Sequence, residues 1–140
     1  MRRFGQAFFA RDAAALAESI TPDAQWRFAI GDDGPEGRVR VGVEGFLRGI
    51  AENDQAFERL RFEDVQIRAI GEDTLLMTYR ADGRHRGGAP FSVRGVELVT
   101  VRDGRVAVKD VYWKQAAQRA AGNADLAGGG DAAARATAPR

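Results

Sequence analysis

The sequence predicts an α+β domain in which short N-terminal helices lie against an antiparallel sheet. Three observations carry that prediction. Apolar residues recur at helical spacing up to about Asn53, and beyond it they alternate with polar residues at a period of two. Turn signals, "GED", "DGRHRGG" and "RDGR", then separate runs of strand length. A chain of 140 residues, 44% of them hydrophobic, is of a size that makes one domain around one core.

In the first segment Phe4, Phe8, Ala15, Leu16 and Ile20 fit one or two amphipathic helices, broken near Arg11-Asp12. Pro22 closes this helical region, and "AQWRFAI" places Trp26, Phe28 and Ile30 on one face of a strand. "GDDGPEG" is a loop. Val43, Phe46, Leu47 and Ile50 form the stripe of a third helix, with Glu44 and Glu52 on its other side. Val65, Ile67 and Ala69 then mark one strand, and Leu75, Met77 and Tyr79 the next. "ADGRHRGGAP" is expected to be a flexible connection, leading into a strand from Pro90 or Phe91 to Val101 and a last one from Arg105 to Lys114. The domain is expected to span residues 1–118. Residues 119–140, rich in Ala and Gly, offer too little apolar surface to offset the entropy of ordering and are expected to be disordered.

Composition removes several function classes. With no cysteine and one histidine, disulfides, thiolate catalysis, cysteine zinc sites and His-rich metal sites are excluded, and no metal or cofactor is expected. A net charge of +1, from 21 basic and 20 acidic residues, points to neither nucleic acid nor an anionic membrane. No glycine-rich phosphate cradle opens a helix, and no apolar run reaches the roughly 18 residues of a membrane span. A cytoplasmic protein is the expectation.

The chemistry concentrates on "SVRGVELVTV". Glu97 shares a strand face with Val93, Val99 and Val101, so it points toward a core, where an acid needs a partner or a purpose. Two hairpin registers are open. A two-residue Asp103-Gly104 turn would set Glu97 across from Asp110, acid against acid. A three-residue loop, Arg102 to Gly104, would set Glu97 across from Lys109, and this register is favoured. Lys109 stands out because only it and Lys114 are lysines among the 21 basic residues. The pair reads either as a structural ion pair or as catalytic machinery.

Both hairpin faces are apolar, so both need cover. Helices are expected over the Glu97 face. A second subunit is expected over Val96, Leu98, Val106 and Val108, which makes the chain a homodimer.

The order of helices, "DAQWRFAIGDDG", "VEGFLRGI" and a meander closing with "RGVELVTVRDGRVAVKDVYW" resembles the nuclear transport factor 2-like superfamily, and within it the SnoaL-like and ketosteroid-isomerase-like proteins. The resemblance implies a cone, with N-terminal helices packed in a strongly curved antiparallel or mixed sheet around a deep apolar pocket. It places Glu97 at the position of the steroid isomerases' oxyanion-hole acid. It also places Phe4 where those enzymes carry a tyrosine and Phe28 near their base, so their reaction is not implied. The acid, arginine and acid set of the related epoxide hydrolases is not evident either, since Arg94 lies on the opposite strand face from Glu97. A SnoaL-type cyclase needs one pocket acid beside a carbonyl, a role open to Glu97.

The pocket lining is expected from Phe4, Phe8, Trp26, Phe28, Phe46, Tyr79, Phe91, Val111 and Trp113, the same residues a small core would need. Tyr79 reads as a hydroxyl donor to the pocket or as a core ring with its tip at the rim. His85, in "DGRHRGG", reads as a solvated loop residue, and Arg38, Arg40, Arg59, Arg61 and Arg68 read as surface. Two functions compete. One is an acid-base enzyme of isomerase or cyclase type acting on a small apolar organic molecule; the other is a binding or dimerisation module whose Glu97/Lys109 pair is structural. An open cavity ending on Glu97 favours the first, and a cavity filled by Phe4, Phe28 and Trp113 the second.

Overall fold

The computed structural model describes residues 1–31 and 34–114. The expected domain end near Gln118 and the tail expected to be disordered therefore fall outside the described residues. Helix α1, Arg2–Ala10, buries Phe4 and Ala7 and stops at Arg11, which takes a left-handed φ of 56°. Asp12 then caps α2, Ala13–Ser19, by accepting the N–H of Ala15 at 3.0 Å. The helical segment is thus broken where the sequence places the break.

Strand β1, Ile20–Arg27, starts earlier than expected, with Pro22 inside it rather than ahead of it. The missing N–H does no harm there. Strand β2, Val39–Val41, pairs only from Gln25 onward, and the ladder to the last strand shifts register between Ile20 and Gln25. Helix α3, Gly42–Ala56, buries Phe46 and Ile50 and crosses β1 at Gly49. A Cβ at Gly49 would come within 2.7 Å of both the Trp26 and Phe28 rings, so the bare backbone sets how closely the helix approaches.

Strands β3, Phe57–Ala69, β4, Thr74–His85, β5, Pro90–Arg102, and β6, Arg105–Trp113, complete the sheet. Its order is β2-β1-β6-β5-β4-β3, with β1 parallel to β6 and every other pairing antiparallel. Bulges in β3, one of them at Asp64 with φ 54°, bend the sheet around the helices into an open cone. The flexible connection read at "ADGRHRGGAP" is a correction: β4 continues to His85, paired with Phe57 on β3, and only residues 86–89 turn. Gly83 is tolerated in mid-strand because the Phe91 ring fills the space over it.

The β5–β6 hairpin corrects the favoured register. Asp103 and Gly104, with φ of 53° and 73°, form a two-residue turn, and Arg102 pairs with Arg105. One residue later β6 bulges: Val101 pairs with Val106 but Thr100 with Val108, leaving Ala107 unpaired. The bulge absorbs one residue, so Glu97 faces Val111 and Lys109 faces Val99, neither acid against acid nor Glu97 against Lys109. Lys109 nevertheless stays on the Glu97 face, one diagonal step away.

The core joins Phe4, Leu16, Ile20, Trp26, Phe46, Ile50, Val99, Val106 and Val111 from all three helices and the sheet. Helices cover the Glu97 face as expected. On the outer face Val96 is 36% exposed and Leu98 and Val108 are half-buried, whereas Val106 is 2% exposed and packed in the core. Placing Val106 on the outer face is therefore a further correction, caused by the two-residue turn, which pairs Val106 with Val101 on the Glu97 face ahead of the bulge. Among the described residues no helix is long and apolar enough to cross a membrane.

Candidate functional site

A cavity of about 580 Å³ opens between the helices and the concave face of the sheet. Its inner end is polar and its walls are aromatic. Glu97 on β5 and Lys109 on β6 are 4% and 7% exposed, and Lys109 Nζ lies 2.9 Å from Glu97 Oε1. Two buried opposite charges satisfy each other where either alone would be costly. The Nζ also stands 5.0 Å from the centre of the Trp26 ring and 5.6 Å from that of Phe8, so the ammonium faces two π-clouds as well as a carboxylate.

Tyr79 completes the group. It lies directly across from Gly95, over which its ring rests; any Cβ at position 95 would overlap that ring. The Tyr79 hydroxyl donates to Glu97 Oε1 at 3.1 Å and accepts the indole N–H of Trp113 at 2.8 Å. Burial, with the negative charge of Glu97 behind it, pushes the phenol far above the usual tyrosine range, against the smaller opposing pull of the Trp113 bond. Tyr79 is therefore a proton holder and hydrogen-bond donor, not a phenolate. Lys109 and Tyr79 both use Oε1. Among the described residues no side chain bonds Oε2, and Glu97 lines the cavity, so the second oxygen is free for a bound molecule.

Phe8, Trp26, Phe28, Tyr79, Val111 and Trp113 line this cavity. Phe4, Phe46 and Phe91 do not, which corrects that part of the lining. Phe4 and Phe46 form the layer beneath it, with ring centres 6.2 Å apart, and Phe46 touches Trp26 from behind at 5.7 Å. Phe91 packs on Phe57, His85 and Trp113 and borders a shallower hollow. His85 is exposed but not in a loop: it ends β4, its ring 4.7 Å from that of Phe57, and it reaches the cavity edge.

Phe57 and Phe62 on β3 were missed as lining residues. The alternation of Leu60 and Phe62 with Arg59 and Arg61 was the available signal. The charged mouth was missed as well. Arg38, Arg59 and Arg61, read as surface, border the opening with Arg11, Glu52 and Asp54. Arg11 grips Asp54 through two hydrogen bonds, at 2.8 and 2.5 Å, and Arg40 holds Glu52 at 2.6 Å. Those bonds draw the Asp54 and Glu52 carboxyls below their usual range.

A curved mixed sheet wrapped around helices, with a cavity closing on one acid, defines an NTF2-like cone. The family model for the SnoaL-like domain matches residues 1–109, and the chain belongs to that family. Solved structures share the fold. An NTF2-like protein of Burkholderia xenovorans LB400 is 20% identical, with a TM-score of 0.69 over 81% of this chain and 85% of that one. TerC, crystallised with polyporic acid, is 17% identical, with a TM-score of 0.66 over 83% and 89%. A candidate polyketide cyclase of Xanthomonas campestris pv. campestris is 18% identical, with a TM-score of 0.64 over 81% and 86%. No curated protein matches the chain significantly.

Proposed function

We propose that the chain binds a small, largely apolar organic molecule carrying a carbonyl or enol, and moves a proton next to that group. The observation that carries the reading is an open cavity ending on a buried Glu97 whose Oε2 is unclaimed. Apolar walls supply affinity and exclude water, and the few polar groups at the inner end orient the guest. Glu97 takes or returns the proton, Lys109 steadies the oxyanion that develops, and Tyr79 holds Oε1 so that Oε2 faces the guest. Structural neighbours described as a candidate cyclase and as crystallised with polyporic acid support a ligand of this kind.

Phe4 and Phe28 carry no hydroxyl or carboxylate, so the steroid-isomerase machinery is not the proposed one. The chain is further proposed to act as a homodimer through Val96, Leu98 and Val108. The test is native mass spectrometry of the purified chain for a retained small molecule, followed by turnover of that molecule by the native chain and by Glu97→Gln. Retention with loss of turnover in the variant is the expected result. Turnover unchanged in Glu97→Gln and in Lys109→Ala overturns the mechanism, and binding without any turnover leaves the non-catalytic module as the reading.

A further inference from the structure

Four of the five lysine and arginine side chains bordering the cavity are arginines, Arg11, Arg38, Arg59 and Arg61, and all of them belong to its charged mouth. The fifth, Lys109, stands at its buried end. A guanidinium is a poor nucleophile, whereas a lysine amine attacks carbonyl carbon once it loses a proton. Lys109 Nζ has a proton acceptor at 2.9 Å in Glu97 Oε1, aromatic faces on its other sides, and a cavity wide enough to bring a carbonyl to it.

Resting on the pocket reading above, we propose that Lys109 condenses with aldehydes and unhindered ketones held in the cavity, forming a protonated imine. The Lys109 ammonium gives a proton to Glu97, and the neutral amine adds to the carbonyl carbon. The second ammonium proton moves to the former carbonyl oxygen, giving a carbinolamine. Glu97 then returns its proton to that hydroxyl, the C–O bond breaks, and water leaves. Three protons on nitrogen become one on nitrogen and two on water, and Glu97 ends as it began.

The product suits the site electrostatically. An iminium keeps the positive charge on the same nitrogen, so the carboxylate keeps its partner and no unpaired charge is buried. The Trp26 and Phe8 faces continue to see a cation. Tyr79, neutral and donating to Oε1, keeps that oxygen from swinging away.

The full chain is incubated with cinnamaldehyde and sodium cyanoborohydride, and the reduced adduct is located by peptide mass spectrometry. Lys114, which is exposed, and the α-amino group are internal controls. The expected result is labelling of Lys109 about tenfold faster than of Lys114, suppressed by excess cinnamyl alcohol and absent at position 109 in Lys109→Arg. Labelling of Lys114 and the α-amine alone, or at the same rate as Lys109, overturns the proposal. Saturable quenching of tryptophan fluorescence by cinnamyl alcohol separates the two readings. Quenching without a Lys109 adduct overturns the imine and leaves the pocket standing, whereas neither quenching nor adduct counts against the pocket as well.

Discussion

Tyr79 stands between two partners, donating its hydroxyl proton to Glu97 Oε1 at 3.1 Å while accepting the Trp113 N–H at 2.8 Å. Three strands, β4, β5 and β6, are tied at the inner end of the cavity by this one hydroxyl. Tyr79→Phe breaks both bonds and leaves buried polar groups short of partners. The expected loss is about 1–3 kcal/mol, read from the urea midpoint at unchanged m-value.

Gly95→Ala should damage the same relay without removing a polar atom. The new methyl group would overlap the Tyr79 ring, which must tilt and pull its hydroxyl away from Glu97. Overpacking of this kind costs about 1–3 kcal/mol. In the double variant Gly95→Ala/Tyr79→Phe the two losses should fall short of their sum, since the hydroxyl can be lost only once. Additive losses would mean that the glycine serves the backbone rather than Tyr79.

Alkaline pH should destabilise the fold through the same tyrosine. Its pKa in the folded chain is raised above the ordinary value of 10. Below pH 10 both states hold the proton and its contribution is complete. Above pH 10 the unfolded chain releases the proton while the folded chain keeps it, so stability falls as pH rises. The native chain should therefore lose more unfolding free energy between about pH 10 and 11 than Tyr79→Phe. Equal losses in the two proteins would contradict a buried, neutral phenol.

The Glu97/Lys109 pair should behave as a unit. Lys109→Met strands a buried carboxylate and should cost about 3–5 kcal/mol. Adding Glu97→Leu removes that charge, and the double variant should recover most of the loss. Denaturation midpoints of the two single variants and the double variant give the coupling directly.

Leu98→Glu on the outer face should leave the cavity intact and shift the chain to a monomer, as read by sedimentation equilibrium. Leu98 pairs with Leu76 and Asp110 on its two sides, so a second carboxylate there also meets Asp110. A native chain that sediments as a monomer at tens of micromolar removes the dimer.

The fold was legible because both hydrophobic periods are clean: Val43, Phe46, Leu47 and Ile50 make one helical stripe, and Glu97, Val99 and Tyr79 share a strand face. Proximity of Glu97 and Lys109 was legible too, but for the wrong register. Turn chemistry at Asp103-Gly104 indicates a two-residue loop, while the avoidance of two facing acids argues against it. A bulge satisfies both demands, and no residue type at Ala107 announces one. The lining could not be separated from the core by residue type, since Phe46 and Phe28 have the same chemistry and differ only in which side of Trp26 they occupy. The mouth was hidden for another reason. Arg11 and Asp54 meet across 43 positions of chain, and local pattern does not report such a distance.

Ala107 makes the chemistry of β6 a matter of odd and even. With the same two-residue turn and an unbroken ladder, the count from Gly104 would bring Asp110 opposite Glu97 and turn Lys109 to the outside. One supernumerary alanine reverses the parity of the inner half of the strand, so that the cavity receives an ammonium instead of a second carboxylate. Drawing Ala107 into the ladder would change no side chain of the site, yet it would exchange the site's charge.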